Sequence, residues 1–427
     1  MSEITKDFSK FSGSSDAYSD LRRNAIDAFG QLGFPTVNHE EWKYTNLKDV
    51  VTHALAFSGL NGTGKSTSED VVKFSIAGKD AHILVFENGI YNEKLSAGTI
   101  DDVGIKVMNL ASAMELNEVK QHLGKVASFE KESFVALNTA YIQDGVFIHL
   151  AKKAVIEKPV HIIYINTSED SGHVYTVRNL IVAEEGSKAV ITESYHSLNT
   201  RCSGLTNSVT EVVVGKNANV ELVKAQLESE NTSHISFTQA IQERDSIFDT
   251  VTVTLGGKLV RNNLHIRLAD VNCTSHLFGL YLLDGEQLVD NHTLVDHAMP
   301  HCYSNELYKG VIDDKATGVF NGKIFVRQDA QKTNAYQSNK NILLSDEAQM
   351  NTKPQLEIFA DDVKCTHGAT TGQLDDEALF YLRARGIGER SARTLLNIAF
   401  AADVLNNIKS EELRNNLQSL AEAKLMK

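Results

Sequence analysis

Cys365 and His367 are the two residues whose types and spacing point most directly to chemistry. If the segment from Val363 to His367 is extended, residues 363, 365 and 367 share one face, because side chains alternate along a strand. A thiol beside an imidazole suits iron, zinc or an iron–sulfur cluster. A cluster takes about four ligands, so the others would come from another chain or a small thiol, and the site would be shared and transient. The alternative is a buried structural cysteine beside a hydrogen-bonded histidine.

Three zones of different periodicity position this pair. We predict a mainly helical N-terminal region over residues 1–150, a strand-rich core over 151–365 and a C-terminal helical region over 366–427. In the first zone, apolar residues recur at near-helical spacing from Leu21 to Leu32, and Gly33 and Pro35 stop the run. In the core, short β-branched runs alternate with Gly or Asn turns. So long a succession of strands leaves two solutions, a large sandwich or barrel and a solenoid.

The C-terminal zone begins with acidic residues at 375–377, which favour the first turn of a helix, and Gly386 is placed to end that helix. A second helix is predicted to bury one stripe of apolar residues, formed by Leu395, Ile398, Ala399, Ala402 and Leu405. A third helix starts at Glu411 and carries its apolar residues at Leu413, Leu417 and Leu420.

Composition excludes several classes of protein. The chain has 427 residues and a formal net charge of −13, which argues against nucleic acid or an anionic membrane as the main partner. No apolar run approaches the roughly 18 residues of a membrane helix, and the N-terminus lacks the order of a secretory signal. Four scattered cysteines are not a disulfide framework. We therefore expect a cytoplasmic protein without nucleic-acid or membrane partners.

Two motifs resemble binding loops but lack the context that would make them work. Residues 59–66, GLNGTGKS, match the phosphate-binding loop, which needs a buried strand before it and a long helix after it. The following residues are expected to become strand-like within a few positions, so an exposed turn is the favoured interpretation and an ATPase using Lys65 the competing one. Residues 386–396, GIGERSARTLL, resemble a helix–hairpin–helix turn, yet the acidic chain favours a plain turn between two helices.

The segment from Asp290 to Cys302 gathers side chains of metal-ligand type at spacings that do not converge, namely Asp290, His292, Asp296, His297, His301 and Cys302. In an extended chain His292 and His297 face opposite ways. The favoured interpretation is that these residues hydrogen-bond within the fold, and a secondary role in cluster delivery is the alternative. No Ser/His/Asp, paired-carboxylate or dinucleotide-binding constellation stands out.

Several segments resemble the SufD branch of the SufB/SufD family of the Suf iron–sulfur cluster assembly system. They lie, in order, at residues 40–47 (EEWKYTNL), 290–311 (DNHTLVDHAMPHCYSNELYKGV), 318–341 (GVFNGKIFVRQDAQKTNAYQSNKN) and 352–387, which ends in KCTHGATTGQLDDEALFYLRARGI. SufB members usually carry an acidic residue where Gly368 stands, and often an N-terminal Cys-x-x-Cys. This chain has no cysteine before Cys202, so the resemblance is to SufD.

The resemblance implies a right-handed parallel β-helix core flanked by N-terminal and C-terminal helical regions, which decides for the solenoid. It further implies a scaffold subunit rather than an enzyme, with SufB and the SufC ATPase as partners or a homodimer when alone. Cys365 and His367 match the interface pair of that family, where iron or a nascent cluster would be held transiently, with no cofactor permanently bound and ATP only on the ATPase. The competing hypothesis is a metal-independent structural or binding solenoid.

Overall fold

The computed structural model describes residues 8, 18–52, 56–57, 64–78, 80–170 and 172–426. Its nine α-helices within these residues are α1 Ser19–Leu32, α2 Lys48–Val51, α3 Ser68–Phe74, α4 Leu110–Ala113, α5 Asn117–His122, α6 Ser133–Ala140, α7 Asp376–Ala384, α8 Glu389–Leu405 and α9 Glu411–Leu425. Short 3₁₀ turns lie at Glu40–Trp42 and Glu93–Leu95. No helix among the described residues is both long and apolar enough to cross a membrane.

The strands form two sheets. Sheet A contains β1 Ala56–Phe57, β4 Ile100–Asp101, β5 Ile105–Asn109, β6 Val146–Leu150, β8 His173–Ala183, β10 Gly204–Val214, β12 Thr232–Gln242, β14 Leu259–Leu268, β16 Leu288–His297, β18 Thr317–Val326 and β20 Gln349–Ile358. Sheet B contains β2 His82–Glu87, β3 Ile90–Tyr91, β7 Val160–Asn166, β9 Lys188–Ser197, β11 Asn219–Leu227, β13 Ile247–Thr254, β15 Thr274–Leu283, β17 Tyr303–Ile312, β19 Asn334–Leu343 and β21 Lys364–Gly372.

From β6 and β7 onward, the chain alternates between the two sheets, and each strand pairs in parallel with the strand two positions earlier. Each rung therefore consists of one strand of sheet A and one of sheet B. This confirms the predicted fold, a parallel β-helix with helical regions before and after it. Strands β2 to β6 precede residue 151 yet pair within the two sheets, and β21 extends to Gly372. The domain boundaries at 150 and 365 stay predictions.

The lumen between the sheets is the main core. Because side chains alternate along each strand, every second residue points inward, and one continuous apolar cluster runs from Leu84 to Ala348. Polar residues occupy inward positions as well and bond to one another across the lumen. Glu193, for example, accepts hydrogen bonds from Asn179 (3.0 Å), Thr210 (2.8 Å) and Tyr195 (3.1 Å). These bonds replace the water that the buried carboxylate has lost.

The N-terminal helices cover the outer face of sheet A. Helix α1 ends where predicted, at Gly33, whose φ of 65° suits glycine, and it packs with α6 on β8 to β14. A second attachment is the buried carboxylate of Glu211, which forms an ion pair with Arg178 (2.8 Å). Glu211 also accepts the backbone N–H groups of residues 124, 126 and 127. This ties the loop after α5 to the solenoid.

The C-terminal helices cover the outer face of sheet B. Asp375 caps α7 and Gly386 follows it with φ 87°, as predicted. The predicted stripe on α8 is wrong in part: Leu405 is buried as predicted, but Leu395 is 46% exposed, and the other buried positions are Ala392, Asn397, Ala401 and Val404. The buried face of α8 is the one that packs against β15 and β17. In α9, Leu413 and Leu417 are buried as predicted, whereas Leu420 is 37% exposed.

Candidate functional site

The last rung, formed by β20 and β21, is the open end of the solenoid. Within the described chain, β20 pairs only with β18, and β21 pairs only with β19. Nearly every residue of β21 is exposed. We call this pair of strands the open rung, since one edge of each strand keeps its backbone N–H and C=O groups available for pairing.

Cys365 and His367 both lie on β21, two residues apart, so they share a face as predicted. Cys365 packs, with Val363, beside the apolar cluster of Ile324 and Ala335, which shows that this face looks towards the lumen. Cys365 is half-buried and His367 is exposed. The two donors therefore stand at the mouth of the lumen, one partly sheltered and the other open to a partner.

The local environment keeps the thiol of Cys365 protonated. Burial raises the pKa of Cys365 above its ordinary value, against a backbone hydrogen bond with Ala335 that lowers it. A protonated thiol is a poor metal ligand and a poor nucleophile. His367 is consequently the readier of the two donors in the isolated chain, and Cys365 needs a positive charge or a base nearby before it can bind.

A column of polar residues continues inward from His367. In the strand register His367 is opposite Gln337 on β19, which is opposite Glu306 on β17. Both inner residues are buried, and Gln337 Nε2 donates a 2.8 Å hydrogen bond to Glu306 Oε2. Burial raises the pKa of Glu306 to about 7, although Gln337 donates to it. The sequence did not reveal this column, because the pairing of strands about thirty residues apart depends on rung length.

No group of three or more His, Cys, Asp or Glu side chains converges to hold a metal within the described residues. Cys365 and His367 provide two donors, whereas iron–sulfur clusters use about four. Any metal bound here would need donors from outside the chain, as the sequence predicted for a shared site.

The residues from Asp290 to Cys302 do not form one centre, which supports the interpretation of bonding within the fold. Asp296 forms an exposed bidentate pair with Arg327 (2.7–2.8 Å), and His297 points inward to Ser304 (2.9 Å). His301 lies in a turn with φ 64°. Cys302 is buried in the lumen, where its thiol donates to the backbone carbonyl of Asp270 (3.4 Å).

Asp290 and His292 instead belong to a buried ion network that the sequence analysis missed. Arg261 Nη1 lies 2.5 Å from Asp290 Oδ2, and the guanidinium of Arg261 stacks on the Trp42 ring, 3.8 Å from its centroid. His292 Nδ1 lies 3.3 Å from Glu41 Oε2. Burial opposes ionisation of Asp290, but Arg261 and His292 hold its pKa well below its usual range. The network fastens the 3₁₀ turn Glu40–Trp42 onto sheet A and borders a groove of about 560 Å³.

The phosphate-loop motif does not present free amides in its described part. Residues 59–63 lie outside the described residues, while the backbone N–H groups of Gly64, Lys65 and Ser66 all donate to the carboxylate of Glu87 (2.7–3.0 Å). Lys65 Nζ bonds to a backbone carbonyl of Thr167. The expectation that the next residues turn strand-like was wrong, because a capping box at Thr67 starts helix α3. With only seven residues, α3 is short for a nucleotide-binding helix.

The arginine-rich turn after α7 is occupied by local contacts. Arg383 and Arg393 form ion pairs with Glu389 (3.2 and 3.3 Å), and Arg385 bonds to Tyr381. These pairs agree with the plain interpretation of a turn between two helices.

A Ser–His–Glu chain lies inside the lumen, although none stood out in the sequence. His234 hydrogen-bonds to Ser208 (3.1 Å) and to Glu228 (2.6 Å), and all three residues are buried. The neighbouring cavity measures about 10 Å³, enough for about one water molecule. These three residues therefore pack inside the lumen and satisfy one another's hydrogen-bonding groups.

Comparison with known proteins gives a consistent family. Residues 164–400 match the model described as "SUF system FeS cluster assembly, SufBD core domain", and residues 7–162 match "SufBD protein N-terminal region". An iron–sulfur cluster assembly SufBD family protein of Synechocystis is 32% identical over 97% of this chain and 93% of its own length. Iron–sulfur cluster assembly proteins SufD of Escherichia coli (31% identical, 91% and 88% covered) and Bacillus subtilis (26%, 99% and 97%) are similar over most of the chain.

Proposed function

Because the chain belongs to the SufBD family of iron–sulfur cluster assembly proteins, we propose that it is a scaffold subunit without catalysis of its own. In this proposal the open rung pairs with SufB, and the pair Cys365 and His367 holds iron or a nascent cluster as cargo between the two chains. The observation that carries the proposal is the placement of both donors on the lumen face of a strand whose outer edge is unpaired.

The edge geometry supports pairing with a second β-helix. Sheet A ends in β20, of ten residues, and sheet B ends in β21, of nine residues, each paired in parallel with one strand among the described residues. An unpaired edge is a template for another chain. Phe359, which is 60% exposed, and Ile358 (39%) add apolar surface beside that edge. A partner solenoid docked there would cover the backbone groups of the open rung and bring its own donors to His367. A second copy of this chain is the alternative occupant when SufB is absent.

The C-terminal helices support docking of the SufC ATPase. Helix α7 buries only Leu379 against the protein, and it leaves Phe380 (74%) and Tyr381 (57%) exposed next to each other. Large exposed aromatic residues on one surface are typical of protein interfaces. ATP would be hydrolysed on that partner, in agreement with the occupied amides at Lys65. We place the protein in the cytoplasm, where four free thiols stay reduced.

Co-purification of the chain with SufB and SufC, followed by anaerobic analysis of iron and sulfide, tests the proposal. His367→Ala is expected to lower the metal content of an intact complex at least tenfold, since it removes the readier donor, and Cys365→Ala to lower it less. His82→Ala, at the opposite end of sheet B, is the matched control. Phe380→Ser is expected to lose SufC while keeping SufB.

Each outcome has a defined meaning. An intact complex whose iron and sulfide content is the same with His367→Ala would reduce the chain to a metal-independent scaffold. Failure to form any complex with SufB and SufC would contradict the assembly role itself.

A further inference from the structure

We propose that Gln337 is a positioning residue for His367: its buried amide oxygen accepts an N–H from the imidazole and fixes the tautomer that faces the partner chain. This inference deepens the proposed function and rests on it for its significance. Both groups of the proposed hydrogen bond belong to this chain, and the bond forms when the imidazole of His367 turns towards Gln337 Oε1, which has no partner within the part of the chain that the structure describes.

The first step of the argument is the register. His367 and Gln337 are opposite each other on adjacent parallel strands, where the strands lie about 4.8 Å apart. Both side chains leave the same face of sheet B, because Gln337 follows Ala335 by two residues and His367 follows Cys365 by two. A glutamine side chain is long enough to reach the ring of its neighbour on the next strand.

The second step is the unequal use of the two ends of the amide. Gln337 Nε2 donates to Glu306 Oε2 at 2.8 Å, which sets the orientation of the amide group. Gln337 Oε1 is buried and has no hydrogen-bond partner among the described residues, although the residue is only 3% exposed. A buried acceptor without a donor is unfavourable, and a donor on the next rung would satisfy it.

The third step is the restraint on Gln337. A Cβ atom placed on Gly322, in the facing sheet, would lie 2.4 Å from Gln337 Nε2. The amide thus fits closely against the backbone of β18 and is anchored by Glu306 on its other side. Glu306 and Gly322 together restrain the amide group of Gln337, and His367 is the next residue opposite it, on β21.

The chemical consequence concerns which nitrogen is free. A neutral imidazole has one N–H and one lone pair, and a metal-binding histidine usually donates its N–H to a carbonyl or carboxylate. With its N–H on Gln337, His367 would direct the lone pair of its other nitrogen away from the lumen. That nitrogen would then meet iron or a cluster held at the interface.

Nuclear magnetic resonance of the full chain labelled with ¹⁵N-histidine tests the proposal directly. His367→Ala identifies the resonances of His367 among the 15 histidines, and at pH 8 the wild type is expected to show one predominant neutral tautomer. Gln337→Met, which keeps the volume but removes the acceptor, should return His367 to the tautomer ratio of a free imidazole. Gly322→Ala should do the same by displacing the amide.

Gln355→Met is the matched control, because Gln355 Oε1 is also buried without a partner but lies on the outer face of β20. An unchanged tautomer ratio of His367 in both Gln337→Met and Gly322→Ala overturns the inference, whatever the complex does. In the co-purified complex, Gln337→Met should weaken iron binding about 10–100-fold with SufB still bound. If the tautomer responds while His367→Ala leaves iron loading unchanged, the proposed function fails and the hydrogen bond stands.

Discussion

The middle rungs of the solenoid and the open rung have the same strand geometry, but they differ in how far their inward polar groups are buried and hydrogen-bonded. In the middle, Glu193 is surrounded by three hydrogen-bond donors and lies 3.6 Å from Lys224. At the open end, His367 is exposed and the edge of β21 is unpaired. An inward polar residue of a middle rung has neighbouring rungs on both sides that can supply partners, whereas the described residues place a rung on only one side of β20 and β21.

The outer covers of the two sheets follow the same division. N-terminal helices cover sheet A from β8 to β14, and C-terminal helices cover sheet B from β11 to β17. Among the residues that the structure describes, neither apolar cover extends to β20 or β21. The apolar contacts with the helices therefore lie along the middle rungs, and the unpaired edges of β20 and β21 lie beyond them.

The largest expected effect comes from breaking a middle-rung attachment. Glu211→Ala removes the carboxylate that pairs with buried Arg178 and accepts three backbone N–H groups. Leaving a buried charge without its partner costs about 3–5 kcal/mol, so the urea midpoint should fall strongly. Hydrogen exchange of residues 124–127 should rise in parallel.

The control for this variant is Glu357→Ala, which breaks the 2.9 Å pair with Lys323 on the outer surface near the open rung. Partly exposed pairs contribute about 0–1 kcal/mol, so its urea midpoint should hardly move. Equal losses of stability in Glu211→Ala and Glu357→Ala would contradict the expectation that contacts on the middle rungs contribute more to stability than contacts near the open rung.

The next effect concerns Glu306, at the transition between the two regions. Its pKa in the folded chain is about 7, raised by burial from an ordinary value of 4.5. The folded state therefore binds the proton more tightly than the unfolded state, and stability falls as the pH rises from about 4.5 to about 7. The loss is at most about 3 kcal/mol.

Glu306→Gln should remove this decline, so that the variant gains stability relative to the wild type at pH 8 but not at pH 4.5. Urea unfolding at several pH values measures the difference. Glu243→Gln, in an exposed turn, should follow the wild-type profile. Parallel profiles for wild type and Glu306→Gln between pH 4.5 and 8 would show that Glu306 ionises in the folded chain as it does in water.

The local half of the candidate site could be predicted from the sequence. Alternation along a strand places Cys365 and His367 on one face whatever the rest of the chain does. The ends of α1 and α7 were similarly local, since glycine at positions 33 and 386 ends each helix. Features set within about ten residues, by dihedral angles and alternation, survive folding unchanged.

The non-local half could not be predicted because the rungs differ in length. One rung in sheet A separates Gln242 from Leu268, and the last one separates Val326 from Ile358. If every rung had the same length, the sequence alone would show which residue lies opposite His367. Because the rungs differ in length, several residues of the preceding strand were equally possible, and only the structure identifies Gln337. The Arg261–Asp290 network was also hidden, because Trp42 reaches Arg261 across more than two hundred residues.

The smallest expected effect tests the open rung itself. His367→Ala should lower the urea midpoint of the isolated chain by no more than the equivalent of about 1 kcal/mol, since the exposed side chain contributes little packing and loses a single hydrogen bond, the one proposed to Gln337. Gln337→Met, one rung inward, should cost more, because it removes the 2.8 Å hydrogen bond to buried Glu306 as well as the acceptor proposed for His367. If His367→Ala destabilises the chain as much as Gln337→Met does, the imidazole is part of the packed lumen, and a loss of iron in that variant would reflect folding rather than ligand chemistry. A smaller loss of stability than in Gln337→Met, measured together with a large effect on iron loading in the complex, would separate the two.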